Sequence, residues 1–377
     1  MSLDWTQICA QRLARHHLLR PHTDLTEVVR AMCGAHAQIM AAGELSVGIR
    51  TNASRGDVQH ALWHDRTLVK TFGPRGTVHF LPTADLPLWT AALSAIPGQA
   101  SGFAEGVRMT PDQTRQVIDA IGIALKDAEL TVDELTEALV DLAGPWAGEK
   151  VMPAFQTFWP RWRQATTEAA NSGVLCFGLN KGRKVTYTNP HRWLPGLQPV
   201  DPDQALAELV NRYLHAYGPA TPAQFARWLS ASPAWAAKLF ASLDLRQVDV
   251  AGTPAWLAAG DTLGSGENVQ GVRLLPYFDA YTVGCFPREL VFPGRAFERV
   301  LNRGQAGNYP VLLVDGVIKG VWHQRRSGRK IDVTVEPFGK LTARQHKDLE
   351  GQVDRAGEIQ DGKATLTIGT VTVGPHA

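Results

Sequence analysis

Apolar positions three and four apart, broken by turn residues, run through the first two-thirds of the chain; after Asn268 alternating and continuous apolar runs take over. The first region therefore reads as helical with interspersed hairpins, and the second as strands and turns. The pattern is clearest in "TPDQTRQVIDAIGIALKDA", which opens on Thr110, Pro111 and Gln113: an N-cap, a first-turn proline and a capping-box partner. "TVDELTEALVDLAG" repeats the device with Thr131 and Glu134 and stops at Gly144. A third helical stretch, "FWPRWRQATTEAANSG", leads into "VLCFGLNKGRKVTYTN", two β-rich runs around a Lys-Gly-Arg-Lys turn that predict a hairpin.

The same succession returns in "DPDQALAELVNRYLHAYG", "TPAQFARWLS" with its capping box at Thr221 and Gln224, "SPAWAAKLFASL" and "LRQVDVAGTPAWLAAG". It is also readable upstream, where "WTQICAQRLARHHL", "DLTEVVRAM" and "SRGDVQHALWH" precede the hairpin pattern "LVKTFGPRGTVHFLP". Three helices closed by a hairpin wing describe a winged helix. The expected architecture is therefore α+β: three tandem winged helices over 1–100, 101–198 and 199–264, then a β-rich domain over 265–377. That last part is expected to be mainly antiparallel, with "TARQHKDLEGQVDRAGEI" as a helix charged on its outer face and Asp315-Gly316 as a tight hairpin turn.

At 377 residues, 44% of them apolar and 20% charged, the chain is long enough for several globular domains. The formal net charge is only +2, so a nucleic-acid partner needs locally clustered positive charge. The third helices do not supply it: "SPAWAAKLFASL" offers one lysine, and "SRGDVQHALWH" mixes an arginine with an aspartate. They read as scaffold. Positive charge gathers instead in turns, at Lys181, Arg183 and Lys184 in one wing and at Arg325, Arg326, Arg329 and Lys330 in "HQRRSGRK". Basic hairpin tips suit phosphates or a minor groove without reading sequence. Cys9, Cys33, Cys176 and Cys285 are scattered, which argues against a disulfide framework and a cysteine zinc site; no metal or cofactor is expected. No apolar run approaches the length of a membrane span, so a soluble, cytoplasmic, monomeric protein is expected.

One short stretch stands apart. "CGAHAQ" places His36 and Gln38 two residues apart just behind the helix "DLTEVVRAM". By itself the pair proves nothing, because a histidine near a helix C-terminus is usually a cap or a packed ring.

The segments "GAHAQ", "PRGTVHFLP", "LLPYFDAYTVG" and "LLVDGVIKGVW" resemble, in this order and at similar separations, the AlkZ-like winged-helix DNA glycosylases of bacteria; the likeness runs from about Leu25 to Phe338. The resemblance implies three tandem winged helices and a β-rich part that form a concave surface for duplex DNA. It further implies hydrolysis of the N-glycosidic bond of bulky or positively charged N-alkylpurines, lesions made by genotoxic natural products among them. The family's catalytic signature is Gln-x-Gln, with Gln-x-Asp in a second branch and His first in some members. Here it falls on His36, Ala37 and Gln38. Gln rather than Asp in the last place points to the branch associated with self-resistance.

The chemistry fits so small a motif. An N7-alkylguanine or N3-alkyladenine already carries ring charge and departs without a strong general acid, so the enzyme has mainly to hold a water against the anomeric carbon. A neutral amide both donates to and accepts from such a water, which assigns Gln38 to water positioning. His36 either shares that water as a base or contacts the sugar and phosphate, and its neutral form suits both. Both side chains are expected to face water and a sugar, with little part in folding. Arg75, His79 and Asp279 are candidate supporting residues: the first two, four apart across a turn, suit a phosphate or else an internal salt bridge or capped turn, and the third, between aromatics, buttresses the site or simply accepts backbone hydrogen bonds. The partner implied is double-stranded DNA containing alkylated purines. Two alternatives are a winged-helix transcription regulator without enzymatic activity, which would need basic or amide-rich third helices, and a metal-dependent nuclease.

Overall fold

Helix boundaries follow the capping signals closely. In the computed structural model, which describes residues 4–98, 102–154, 156–197, 200–250, 252–262 and 269–374, Thr110, Thr131 and Thr221 each cap a helix with a reciprocated capping box. The expected domain boundaries at 100/101, 198/199 and 264/265 lie outside the described residues. The chain divides into two compact units, one of Met1–Ala61 with Val210–Ala377 and the other of Leu62–Leu209.

In the 62–209 unit the hairpin of Leu68–Phe72 with Val78–Pro82 forms as expected, and so does that of Cys176–Phe177 with Thr186–Thr188. Glu129–Thr131 adds a third strand to the latter. One expectation is corrected. "FWPRWRQATTEAANSG" is helical only at Thr166–Asn171; Phe158–Pro160 is a strand paired with Lys150–Pro153, and Arg161–Ala165 a 3-10 turn. Pro160 cannot sit inside a helix, and Phe158 and Trp159 favour a pleated strand, so the apolar run before the helix goes into a second hairpin.

In the other unit the helices Trp5–Arg15, Leu25–Ala31, Pro222–Leu229 and Pro233–Ala241 form, and Leu245–Val250 pairs with Thr253–Ala258. Other elements escaped the pattern. The helix Met40–Gly48, directly behind Gln38, is buried from Ala42 to Gly48, so it carries no amphipathic stripe to read. Short helices at Ala280–Gly284, Arg288–Val291 and Arg295–Val300 also stand where strands and turns were expected.

The C-terminal strands form a five-stranded sheet in the order Val272–Leu275, Val311–Val314, Val317–Ser327, Lys330–Pro337, Lys363–Ile368. It is antiparallel except for its last pair, which is parallel because the helix Ala343–Ile359 makes the crossover. Asp315 and Gly316 both take positive φ, 49° and 85°, as a tight hairpin turn requires. Ile331, Val333 and Val335 alternate inward against Leu349 and Val353 of the crossover helix, and Leu45 from the helix behind the motif enters the same core. Gly48 ends that helix where a Cβ would stand 2.5 Å from Ile359, so only glycine allows the approach. Arg355 donates to the Thr51 carbonyl at 2.9 Å beside it. The segment carrying the motif is thus pinned to the C-terminal sheet.

A second tie is ionic. Arg50 and Asp279 face each other with both side chains fully buried; the guanidinium donates to the two carboxylate oxygens at 2.8 Å each. The Ser46 hydroxyl and the Tyr281 N–H donate to the same carboxylate at 2.8 and 3.0 Å. Burial opposes the charged carboxylate, but Arg50 and these hydrogen bonds outweigh it and hold Asp279 below its usual pKa. Nearby His16 is pushed down to about 3 by burial and by Arg50, which keeps the ring neutral.

Asp279→Ala, which leaves the Arg50 charge buried and unpaired, is expected to cost about 3–5 kcal/mol in urea unfolding. An Asp279→Ala protein within about 1 kcal/mol of the parent would show that the pair is not a structural tie. The ion pair's contribution is present above the ordinary carboxylate value of 3.8 and is lost as pH falls through the lower folded value. His16 acts earlier: because it binds its proton near 6.5 when unfolded and near 3 when folded, stability drops across that interval, by up to about 1.4 kcal/mol per pH unit. His16→Gln should flatten that part of the profile.

Candidate active site

His36 lies in the two-residue strand Ala35–His36, and Gln38 stands exposed just before the helix Met40–Gly48. The Gln38 backbone N–H points at His36 Nδ1 from a long 3.5 Å, an arrangement that suits the neutral ring with its proton on Nε2. The expectation that both side chains face water holds for Gln38 and is corrected for His36, which is only 6% exposed. The reason is Phe278. Its ring stacks on the imidazole with centroids 4.4 Å apart and planes 26° from parallel.

Phe278 occupies an unusual backbone position. The Asp279 N–H donates to the Pro276 carbonyl at 3.3 Å, closing a turn in which Phe278, the third residue, has φ 55°. Glycine normally takes that place, and a bulky residue there costs on the order of 1–3 kcal/mol. Three contacts hold it. Asp279 is locked by Arg50, the Phe278 N–H donates to the Gly307 carbonyl at 3.1 Å, and Gly307 comes so close that a Cβ would stand 2.7 Å from the Phe278 ring. The strain therefore presents an aromatic face to His36.

The other candidates divide between the units. His36, Gln38 and Asp279 belong to one, and Asp279 is the buried partner of Arg50 with no surface for substrate. Arg75 and His79 belong to the other. Arg75 sits at φ 63° in the tip of its hairpin; His79 is buried, with Nδ1 2.8 Å from the Thr77 carbonyl and its ring against Gly73.

Of the basic tips, the Lys181 wing is partly neutralised, since Lys181 reaches Glu134 at 3.2 Å and Lys184 reaches Asp133 at 2.9 Å. Arg183 has no ion-pair partner among the described residues. The hairpin of Val317–Ser327 with Lys330–Pro337 exposes Arg325, Arg326, Arg329 and Lys330 together. There Arg326 donates to the Gln360 carbonyl at 2.7 Å and Lys330 pairs with Asp332 at 3.1 Å, while among the described residues Arg325 and Arg329 have no such partner. The metal-free expectation passed over one spacing: His60 and His64 stand four apart. Both are exposed, and His64 is 2.9 Å from Asp65.

A profile of the family described as DNA glycosylase AlkZ-like matches residues 29–359, a span that holds the His36–Gln38 motif, the Phe278 turn and the Arg325 hairpin. The chain belongs to the AlkZ-like DNA glycosylases. It is 30% identical over 337 residues to an interstrand DNA cross-link repair glycosylase of Streptomyces sahachiroi, covering 85% of this chain and 88% of that protein. The solved structure of the Streptomyces sahachiroi DNA glycosylase AlkZ matches with a TM-score of 0.83 at 27% identity, over 98% of this chain and 100% of that one. The α+β architecture agrees with this neighbour, and the enzyme hydrolyses N-glycosyl bonds in DNA. A transcription regulator without activity is thereby excluded. Among the described residues, no helix of this AlkZ-like enzyme is long and apolar enough to cross a membrane.

Sequence reasoning named His36 and Gln38 as candidates and did not name Phe278 or Arg50, which the structure places beside them and beside Asp279. Nothing in "LLPYFDAYTVG" signals a positive φ at a phenylalanine, and the buried partner of Asp279 lies 229 positions away. The stacking has a direct spectroscopic consequence. The Phe278 ring current should displace the His36 ring-proton resonances in NMR, and Phe278→Leu should return them toward ordinary values. Unchanged shifts would break the proposed contact. Phe278→Gly, which relaxes the turn while deleting the ring, should hold the melting temperature within several degrees because relief of strain offsets lost packing.

Proposed function

We propose that this AlkZ-like glycosylase excises bulky or cationic N-alkylpurines of the N7-alkylguanine and N3-alkyladenine type from duplex DNA. The observation that carries the reading is that, among the described residues, the two carboxylates placed beside these elements are already engaged: Asp279, which follows Phe278, is spent on Arg50, and Glu44, in the helix behind Gln38, accepts from Gln59 at 2.6 Å, beside the exposed Gln38 amide and the stacked His36 imidazole. Without a strong acid, the leaving base must already be positively charged. Gln38 then orients the hydrolytic water toward the anomeric carbon, and neutral His36 accepts from that water or contacts the sugar. Phe278 fixes the imidazole plane.

Binding falls to the basic hairpin, where Arg325 and Arg329 meet phosphates and Arg326 is held in place by Gln360. Arg183 adds a second contact, and Lys181 and Lys184 join it by exchanging exposed carboxylates for phosphate, since such surface pairs are worth only about 0–1 kcal/mol. We further propose that the recurring helices and hairpins are three winged helices, that the enzyme acts as a monomer, and that its substrates include interstrand cross-links, a reading supported by the name of its Streptomyces relative. Gln38 in the motif supports a role in self-resistance to a DNA-alkylating natural product.

Single-turnover release of N7-methylguanine from a duplex tests the chemistry. Gln38→Ala should slow it by about 100-fold or more with DNA binding and melting temperature intact, the scale of losing one positioned catalytic group. His36→Ala should slow it comparably and also lower stability, since it deletes a packed ring. If both residues serve one water, the double variant should cost far less than the product of the single effects. Parental rates in Gln38→Ala would remove the motif from catalysis.

Replacing Arg325 and Arg329 by Ala should weaken binding to all duplexes alike and reduce the slope of log affinity against log salt by about one to two phosphate contacts. An unaltered slope would take the hairpin out of the interface.

A further inference from the structure

Directly behind Gln38 the surface opens into a recess of about 150 Å³. It is lined by Ile39, Ala42, Leu45, Tyr277, Trp322 and His323 among others. Its position along the chain is informative. Ile39 follows the motif residue Gln38, Tyr277 precedes the Phe278 that stacks on His36, and Gln324, also in the lining, precedes Arg325 of the basic hairpin. On the excision reading, a DNA substrate held by Gln38 at the reacting sugar and by Arg325 at a phosphate would pass over the opening.

We infer that this recess is a subsite for an apolar substituent carried on the alkylated purine, a single aromatic ring or a short branched alkyl chain; the inference rests on the excision reading above. The size fits, since an aliphatic-lined cavity of about 150 Å³ accepts a benzene-sized guest. A purine itself fits poorly. Its edges carry several donors and acceptors, whereas the Gln324 amide is already paired in both directions with Gln360, at 2.8 and 3.0 Å. His323 adds a polar atom to the lining. His323 Nδ1 is covered and has no hydrogen-bond partner among the described residues, and burial lowers the pKa of the ring, which keeps it neutral and able to accept. A hydroxyl or amide N–H on the substituent would satisfy it.

The test compares single-turnover release of N7-methylguanine and N7-benzylguanine from otherwise identical duplexes. Ala42→Leu fills the recess from its buried wall, and Ala41→Trp covers its mouth from an exposed position where folding is not at stake. The benzyl-to-methyl rate ratio should fall about tenfold in each, within the usual discrimination of an apolar pocket. A folded variant pair with the parental ratio overturns the subsite, as does an equal loss on both adducts, which would mean that the occupant is common to the two. Failure of the parent enzyme to release either base overturns the underlying excision reading instead.

Discussion

A guanidinium and a carboxylate buried together set the terms for the rest of the molecule. Removing both from water costs several kcal/mol per ion, and the cost is recovered only if the geometry is close and the remaining valences are filled. Asp279 meets that demand with donors from Arg50, Ser46 and Tyr281. Those donors come from two distant parts of the chain, the segment behind the motif and the start of the helix Ala280–Gly284. Satisfying the charge therefore fixes the relative placement of Ser46, Arg50 and the turn at Pro276–Asp279.

That placement explains how a phenylalanine persists at a glycine-like φ. Local energetics alone would relax the turn, but Asp279 cannot move without exposing the Arg50 charge to an apolar interior. Gly307 then leaves just enough room for the ring. The strained residue ends against His36, where an aromatic face orients the imidazole plane without adding charge. The Arg50–Asp279 pair thus lies deep, while the Gln38 amide stands exposed and the His36 ring lies just beneath the surface.

The two basic turns show why charge in sequence is not charge in space. Lys181 and Lys184 look as exposed as Arg325 and Arg329, yet Glu134 and Asp133 at the start of the helix Val132–Ala143 lie within reach of the first pair. Those acids favour a helix N-terminus for their own reasons. The neutralisation follows from the hairpin folding back over it.

What could be read in the sequence is what short-range physics decides. Capping boxes at Thr110, Thr131 and Thr221 bounded helices correctly, and Asp315-Gly316 gave its turn. The His36–Gln38 motif was legible as well, because its residues are two apart. The helix Met40–Gly48 was not: with buried residues on all sides it has no polar face to set its period. Nor were the Arg50–Asp279 pair, the Phe278 stack or the recess beneath Tyr277. Each joins residues more than 200 positions apart, and only packing and desolvation, which act on the folded chain as a whole, decide that they meet.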